Sequence, residues 1–237
     1  MKDDFYSRTY GIYGDDIDKI IGAHVAVVGL GGVGGECAIA LVRCGVGQIT
    51  IIDGDLACAS NLNRQAISFR DNVGQSKALA CEKLLKNINP DVIIHAINSF
   101  WEKDSDIDLS SVDYIADAID SVGKKADLIE FAHNNNIPII SAMGAGNKVD
   151  PTSFKIADIS KTKVDPLARA MRRLLKERSI VHTDVVYSEE EPRIPFVRLD
   201  EKQQGLYSKR NAPASCSFVP STVGLIMAGH IINHLVK

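Results

Sequence analysis

From His24 to Gly34 the chain reads HVAVVGLGGVG, and this stretch decides the fold. Its first five residues are rich in valine, as expected for a buried parallel strand, and residues 36–44 are predicted to form a helix. The turn between them follows the pattern G-x-G-x-x-G and contains Gly29, Gly31, Gly32 and Gly34. Without side chains its backbone can approach a phosphate closely, and the helix start offers free N–H donors. The stretch therefore predicts a nucleotide site; the alternative is a tight turn that binds no ligand.

A second apolar strand, residues 48–52, is followed at once by Asp53. This acid stands 19 residues beyond Gly34, close to the spacing of the carboxylate that binds ribose hydroxyls in dinucleotide-binding folds. The alternative is a turn residue, because Asp53-Gly54-Asp55 is itself a good turn sequence. The glycine turn before it favours the ribose interpretation.

Size and composition indicate a globular α/β protein of the cytoplasm. The 237 residues suffice for one large domain, and 45% are apolar and 24% charged. The formal net charge of −3 gives no overall sign of nucleic-acid binding, and the polar N-terminal residues lack a signal-peptide core. The five cysteines are scattered and form no C-x-x-C pair, so neither a cysteine zinc site nor a disulfide framework is expected.

Strands and helices alternate along the first 150 residues. Apolar strands are predicted near 92–97, 114–119 and 137–142, with amphipathic helices between them. This alternation predicts a Rossmann-like, mainly parallel sheet with helices on both faces. Because ligands bind at the carboxyl ends of such strands, Gly29, Asp53 and Asp120 are expected to share one site.

The pattern changes after Asp150, which divides the single predicted domain into a nucleotide-binding core (1–150) and a substrate-side extension (151–237). In the extension, residues 154–159 are predicted to form an antiparallel strand. Residues 181–210, which are charged and contain prolines, are predicted to form a long loop. The run 218–236 is apolar, but its proline, histidines and asparagine favour a buried terminal helix over a membrane span.

Arg64, Lys77 and Asp120 favour adenylation over dehydrogenase chemistry. Activation of a carboxylate by ATP means attack at the α-phosphorus and departure of pyrophosphate, which needs cations to offset the phosphate charge. Arginine grips two oxygens with its planar fork, lysine supplies a compact charge, and a carboxylate can hold Mg²⁺. Taken singly, the three could equally be a surface salt bridge, a solvated lysine and a helix cap. A dehydrogenase needs no such cations beside the phosphates.

Together these motifs resemble the ubiquitin-activating-enzyme-like adenylating family. The resemblance rests on the glycine loop, Asp53-Gly54-Asp55, Asn61-Leu62-Asn63-Arg64-Gln65, Lys77 and Asp120, in matching order and spacing. It implies that ATP and Mg²⁺ are bound, with Asp53 on the ribose, Asp55 in the same nucleotide site, and Asn61, Arg64 and Lys77 on the phosphates. It also implies that Asp120 is a Mg²⁺ ligand and that the chain forms a homodimer, in which Arg8 reaches into the partner subunit's site.

Within this family, the resemblance to members that modify tRNA runs almost end to end, for example through Arg70-Asp71-Asn72-Val73-Gly74 and Asp165-Pro166-Leu167-Ala168. It implies that the chain adenylates the carboxylate of a threonylcarbamoyl group on a tRNA adenosine and releases pyrophosphate. Attack within the same side chain would then close a ring and release AMP. A sulfur-transfer protein would be a further partner.

One charged segment supports an RNA substrate independently of the family. Between Lys161 and Arg178 there are seven basic and two acidic residues, although the whole chain is acidic. In a helix starting near Pro166, one stripe is formed by Arg169, Arg172, Arg173 and Lys176. The apolar face is formed by Leu167, Ala170, Met171 and Leu174. A basic stripe on an acidic protein is typical of phosphate-backbone binding, and a solvated helix face is the alternative. The candidate tRNA-binding residues are Lys161, Lys163, Arg169, Arg172, Arg173 and Lys176.

Three functions stay open on these grounds. The first is the tRNA-modifying adenylating enzyme. The second is an activator of the C-terminus of a sulfur-carrier protein, and the basic stripe and missing zinc cysteines speak against it. The third is an NAD-type nucleotide-binding protein without adenylation, and Arg64 and Lys77 speak against that.

Overall fold

A seven-stranded mixed sheet forms the centre of the computed structural model, which describes residues 4–196 and 213–237. The strands are β1 (His24–Val28), β2 (Gln48–Ile52), β3 (Ile93–Ile97), β4 (Tyr114–Asp117), β5 (Ile139–Ala142), β6 (Phe154–Asp158) and β7 (Asp184–Ser188). Their spatial order is β3-β2-β1-β4-β5-β7-β6, and every neighbouring pair is parallel except β7 with β6. The predicted parallel sheet, with an antiparallel strand from the extension, is therefore confirmed.

Helices cover both faces of this sheet, as the alternating sequence pattern predicts. They are α1 (Ser7–Tyr13), α2 (Ile17–Gly22), α3 (Gly34–Cys44), α4 (Lys77–Ile88), α5 (Val122–Asn134), α6 (Pro166–Glu177) and α7 (Phe218–Leu235). Side chains of α3, α4 and α7 form one buried apolar cluster against the sheet, and those of α5 and α6 form a second against the opposite face. Strands covered on both faces need apolar residues on both, which explains the valine-rich runs.

Local signals set the helix boundaries. The Ser76 hydroxyl accepts the Leu79 N–H at the start of α4, and the Asp165 carboxylate accepts the Ala168 N–H at the start of α6. Helix α3 ends where Gly45 adopts a left-handed conformation with φ 105°. These polar caps and this glycine end the helices where the hydrophobic periodicity stops.

Helix α6 turns a different face to the core from the one its sequence predicts. The sequence predicts an apolar face of Leu167, Ala170, Met171 and Leu174. Of these four residues, only Met171 is fully buried. The buried residues are Ala168, Met171 and Leu175, which pack in the cluster shared with α5. The apolar residues cover a wide arc of this helix, so its contact with α5, rather than periodicity alone, selects the buried positions.

The predicted loop over 181–210 is wrong in its first part, because β7 lies there. Val185, Val186 and Tyr187 are buried, and β7 pairs with β5 on one side and β6 on the other. A strand between two others is buried on both faces, and only this placement shows that so short a run belongs to the sheet. The remainder of the predicted loop falls largely on residues 197–212, outside the described residues.

The C-terminal helix α7 packs inside the fold, as predicted. By length and composition this helix is long and apolar enough to cross a membrane. The core helix of a globular protein can have the same length and composition. Eight of its 18 residues are buried, and six of these belong to the cluster formed with α3 and the sheet. Its apolar character is therefore explained by the core it completes.

Candidate functional site

The carboxyl ends of β1, β2, β4 and β5 open into one cleft of about 560 Å³. Nine of the ten residues predicted to bind nucleotide line it: Gly29, Gly31, Gly32, Asp53, Asp55, Asn61, Arg64, Lys77 and Asp120. Gly34 lies behind the cleft as the first residue of α3. The fold thus brings the predicted residues to one place at the sheet edge where ligands of such folds bind.

The three motif glycines differ in what their surroundings demand. Gly29 has φ +89°, and a Cβ there would lie 2.7 Å from the Ala118 carbonyl oxygen, while a Cβ on Gly34 would collide with the Gly29 carbonyl. Packing inside the protein therefore requires both to be glycine. A Cβ on Gly31 would find its nearest neighbour, the Gln65 side-chain nitrogen, only at 4.0 Å. Gly31 faces open cleft, which leaves room for a phosphate to approach its backbone.

Asp53 joins the glycine loop to the turn after β2. One carboxylate oxygen accepts the Leu30 N–H at 2.6 Å and the other accepts the Asp55 N–H at 2.8 Å. Burial raises the pKa of Asp53, and these two backbone hydrogen bonds oppose that rise. Each carboxylate oxygen retains a lone pair, so the side chain can also accept hydrogen bonds from ribose hydroxyls.

Lys77 enters the cleft as the first residue of α4. Its side chain is 7% exposed, and Nζ lies 2.8 Å from Oδ2 of Asp55. The Lys77 N–H also donates to the Asp55 carbonyl at 3.0 Å. These contacts hold a charged ammonium group at the floor of the cleft, so Lys77 is not the solvated lysine that the sequence left open.

Asn61 is the last residue of a short 3-10 helix, Ala59–Asn61, and Arg64 lies in the turn that follows it. Arg64 Nη1 donates to the Ser60 carbonyl at 2.8 Å and to Asn63 Oδ1 at 2.9 Å. No carboxylate within residues 4–196 and 213–237 forms a salt bridge with this guanidinium, so the surface ion pair left open by the sequence is not found there. Asn61 Oδ1 accepts the Cys58 N–H at 3.1 Å, which leaves its amide NH₂ to donate to a ligand.

Asp120 lies beyond a strand that ends earlier than predicted. Strand β4 stops at Asp117 rather than at residue 119, because the chain turns there and Asp117 Oδ1 accepts the Ile119 N–H at 3.0 Å. Asp120 is exposed on the cleft wall. In the described part of the chain, no cluster of three His, Cys, Asp or Glu side chains could hold a metal. Asp120 could thus provide only one carboxylate, the mode in which Mg²⁺ bound to phosphates is commonly held.

A buried ion pair beneath this turn is absent from the sequence prediction. Lys125 Nζ lies 2.8 Å from Asp117 Oδ2, and both side chains have no exposed surface. Ser141 Oγ of β5 donates to the same carboxylate oxygen at 2.5 Å. Two features of the sequence could have predicted this pair: Lys125 lies on the buried face of α5, and Asp117 lies in an apolar strand. Charged side chains need partners when they are buried.

Other residues line the cleft that are not among the site residues predicted from the sequence. They are Gln65, Phe100, Trp101, Lys124, Met143, Gly144, Ala145, Gly146, Leu167, Pro213, Ser215 and Pro220. Lys124 Nζ pairs with Glu102 Oε1 at 2.6 Å and lies 4.8 Å from the centre of the Phe100 ring. Most of these residues follow β3 or β5 or come from the extension, so only folding brings them to the glycine loop.

The cleft has two walls that differ in origin. The nucleotide-side wall consists of residues 28, 29 and 31–33, Asp53, Asp55, Asn61, Arg64, Lys77 and 118–120. The α6-side wall consists of residues 142–146 and Leu167. Arg8 belongs to neither wall: it is exposed on α1, and its predicted action in a partner subunit stays a prediction.

A comparison with known proteins settles the family. Residues 6–237 match the ThiF family. The chain belongs to that family. Its relatives include the tRNA threonylcarbamoyladenosine dehydratase of Bacillus subtilis, which is 35% identical over 246 residues, covering 100% of this chain and 96% of the relative. The molybdopterin-synthase adenylyltransferase of Salmonella typhimurium is more distant, at 29% identity over 74% of this chain and 70% of its own length.

Solved structures agree with the fold of this ThiF-family chain. The E. coli tRNA N6-threonylcarbamoyladenosine dehydratase in complex with AMP superposes with a TM-score of 0.86 at 33% identity, covering 97% of this chain and 93% of the other. The same enzyme in complex with ATP gives a TM-score of 0.84. The Rossmann-like architecture predicted from the sequence is thereby confirmed for a ThiF-family protein.

Proposed function

We propose that this ThiF-family chain is an ATP-dependent adenylating enzyme that acts on tRNA. It activates the carboxylate of a threonylcarbamoyl group on a tRNA adenosine and closes that group into a ring, with net loss of one water. The observation that carries the proposal is the convergence of two cations, Arg64 and Lys77, with Asp120 on one cleft around the open backbone of Gly31. The dehydratase relatives supply the substrate class.

The first step is attack of a substrate carboxylate oxygen on the α-phosphorus of ATP. The bond from this phosphorus to the bridging oxygen breaks, and pyrophosphate leaves with the electron pair. Arg64 and Lys77 offset the negative charge that develops on the phosphate oxygens, and such groups accelerate a reaction most when they are fixed in advance. The Asp55 contact fixes Lys77, and the Ser60 and Asn63 contacts fix one nitrogen of Arg64.

In the second step a nucleophile of the same modified side chain attacks the activated acyl carbon. AMP leaves with the former carboxylate oxygen, and the nucleophile loses a proton, so that the ring product has lost the elements of water. This step needs a cleft that holds the acyl group close to its own side chain and away from water. The α6-side wall contains the apolar side chains of Met143 and Leu167, which would help to keep water from the acyl group.

The nucleotide contacts follow from the geometry of the nucleotide-side wall. Asp53 would accept the ribose hydroxyls, and the backbone of the glycine loop with the Asn61 amide would donate to phosphate oxygens. Asp120 would hold Mg²⁺, which would neutralise phosphate charge when bound. The site offers one carboxylate ligand, and phosphates and water would have to supply the others.

Assembly and location are part of the same proposal. The chain would act as a homodimer in the cytoplasm, with Arg8 of each protomer completing the cleft of the other. The support is that Arg8 is exposed and lies outside the cleft of its own chain. A sulfur-transfer partner stays a prediction from the family resemblance.

The decisive experiment combines the purified chain with ATP, Mg²⁺ and tRNA that carries threonylcarbamoyladenosine. We expect AMP and pyrophosphate in equal amounts, and a nucleoside lighter by one water in the mass spectrum. Unmodified tRNA is the control and should release no AMP. Absence of AMP from the modified tRNA would overturn the proposal, and adenylation of a small carrier protein instead would identify a sulfur-carrier activator.

A further inference from the structure

The basic segment from Lys161 to Arg178 is not uniform once it is folded. Arg172 is half-buried, and its guanidinium donates to the carbonyl and the hydroxyl of Thr162. Arg178 bridges to α5, where it contacts Asp127 at 2.6 Å and Glu130 at 3.1 Å. These two arginines hold α6 in place, so the sequence prediction of tRNA contact is not supported for Arg172.

The other five basic residues point away from the protein. Lys161, Lys163, Arg169, Arg173 and Lys176 are all exposed. None of the ion pairs formed among residues 4–196 and 213–237 includes them, whereas Lys103, Lys124 and Lys155 elsewhere on the surface are each paired with a glutamate. This set, called here the α6 basic surface, therefore forms no ion pair within the described residues of a chain of net charge −3, although the charge of Lys163 helps to lower the pKa of Glu189.

The same helix begins at the cleft. Leu167, in its first turn, lies on the cleft wall, and Arg169 follows two residues later. Lys176 lies nine positions after Leu167, so the basic residues of α6 reach roughly 14 Å from the cleft wall along the helix axis, at 1.5 Å per residue. A polyanion lying on this surface would reach the cleft at one end.

The cleft end of α6 is also firmly held. Asp165 caps the helix through the Ala168 N–H, and its other oxygen lies 2.7 Å from Lys148 Nζ. Both charged side chains are almost wholly buried, and Lys148 also donates to the Ser188 carbonyl at 3.2 Å. The helix start is thus fixed to the segment that carries residues 144–146 of the cleft, which fixes the basic surface relative to the cleft.

We propose that the α6 basic surface binds the phosphate backbone of the RNA substrate and directs the modified nucleoside past Leu167 into the cleft. This inference rests on the proposed function for the identity of the polymer. Arginine and lysine on one helix face attract any polyanion through space, and arginine adds two-point contact with phosphate oxygens. Phosphate contacts position a nucleic acid without reading its sequence, which suits a surface that delivers a nucleoside to a separate pocket.

The test compares two triple variants of equal charge change. The first, Arg169→Ala with Arg173→Ala and Lys176→Ala, removes the exposed cations of α6. The matched control, Arg43→Ala with Arg70→Ala and Lys83→Ala, removes three exposed cations from α3, the turn at residues 70–72 and α4, which belong to the opposite side of the sheet. The Kd for modified tRNA is measured by filter binding between 50 and roughly 200 mM salt, the range over which phosphate contacts change affinity most visibly.

We expect the α6 variant to bind tRNA about 10- to 100-fold more weakly, with a salt slope smaller by about 2 to 3, one contact per lost cation. In steady-state kinetics this variant should show a raised KM for tRNA. Its Kd for ATP should stay within about twofold of wild type. The control variant should bind tRNA within about threefold of wild type, with an unchanged salt slope.

Two results would overturn the inference: tRNA affinity that survives in the α6 variant, or an equal loss in both variants, which would mean general charge attraction. Neither result touches the proposed function, which fails only when wild type forms no AMP from modified tRNA. Displacement of the α6 contact by polyglutamate as readily as by unmodified tRNA would assign the surface to an acidic protein instead. A charge-reversed variant, Arg169→Glu with Arg173→Glu, should weaken tRNA binding further and so confirm the sign of the effect.

Discussion

Two buried ion pairs support the two walls of the cleft, and they do so in different ways. Lys125 and Asp117 lie 2.8 Å apart beneath the nucleotide-side wall, and Lys148 and Asp165 lie 2.7 Å apart beneath the α6-side wall. Buried ion pairs contribute little to stability compared with apolar packing of the same volume, because both charges lose their hydration. Their value here is geometric, since each carboxylate also accepts a backbone N–H that fixes the chain next to the cleft.

The difference lies in what each pair joins. The Lys125 pair links β4, β5 and α5, elements adjacent in the parallel core, and holds the turn that carries Asp120. The Lys148 pair links the segment after β5 to the start of α6 and the end of β7, which belong to the extension. The first pair lies within the parallel core, which is the part typical of nucleotide-binding sheets. The second pair attaches the extension, whose helix α6 we assign to RNA binding.

The largest expected effect comes from breaking one pair. Lys125→Met leaves Asp117 buried without its cation and should lower the free energy of unfolding by about 3–5 kcal/mol, as urea denaturation would measure. With its support gone, the turn at residues 118–120 should loosen and raise the KM for ATP. The double variant Lys125→Met with Asp117→Leu should recover most of the stability and keep the raised KM.

Lys148→Met is the matched change on the other wall. It should cost a similar free energy of unfolding, because Asp165 is also left without its cation. The kinetic loss should fall on the KM for tRNA, since the displaced elements are α6 and residues 144–146. If both variants raise the same KM, the two pairs do not serve separate walls and the comparison fails.

Next in size is the loss of Arg64, which tests whether the nucleotide-side wall performs the chemistry. Arg64→Ala should lower the rate of AMP formation by roughly 10²–10³-fold, the usual cost of removing one group that stabilises transition-state charge. The rate of AMP formation of Arg64→Lys should lie between those of wild type and Arg64→Ala, because lysine keeps the charge but lacks the planar fork. The control Arg70→Ala changes an exposed arginine outside the cleft, and a comparable loss there would contradict the assignment.

A smaller effect is expected from the glycine loop. Gly31→Ala adds a methyl group with no neighbour closer than 4.0 Å, so stability should change by less than about 0.5 kcal/mol. ATP affinity should nevertheless fall by about tenfold, near 1.4 kcal/mol, because the methyl group would fill the space through which a phosphate approaches the Gly31 backbone. Gly34→Ala should instead lower the stability of the fold, because the added Cβ would collide with the Gly29 carbonyl. Calorimetric ATP binding together with urea denaturation separates the two outcomes.

The smallest effect concerns the reactivity of a thiol next to Asn61 of the nucleotide-side wall. A hydrogen bond from Ser60 lowers the pKa of the exposed Cys58, whereas burial raises the pKa of Cys81 to about 12 and also raises that of Cys37. Iodoacetamide should therefore label Cys58 well before Cys37 and Cys81, as peptide mass spectrometry would show. ATP should slow this labelling severalfold, because Asn61 contacts the Cys58 backbone. Labelling that is indifferent to ATP would argue against a nucleotide contact at Asn61.

Much of the fold was predictable because its signals are local. The bounds of β1 and β2 match the predicted strands, and the strand–turn–helix context of the glycines is found as expected. The strand β7 was missed because its short run precedes a charged, proline-bearing stretch and reads as part of a loop. Its position between β5 and β6 depends on partner residues 26 to 44 positions away in sequence, which no local pattern contains.

The candidate site divides in the same way. The sequence by itself determined the glycine turn, Asp53, Arg64, Lys77 and Asp120, because short-range spacing fixes where such residues follow a strand or begin a helix. Only the tertiary structure decided which cations stay free: it bound Arg172 and Arg178 internally and left the α6 basic surface exposed. It also created both buried ion pairs. The physical reason is that burial and charge neutralisation depend on groups brought together across the chain, whereas turns and helix starts depend on their neighbours.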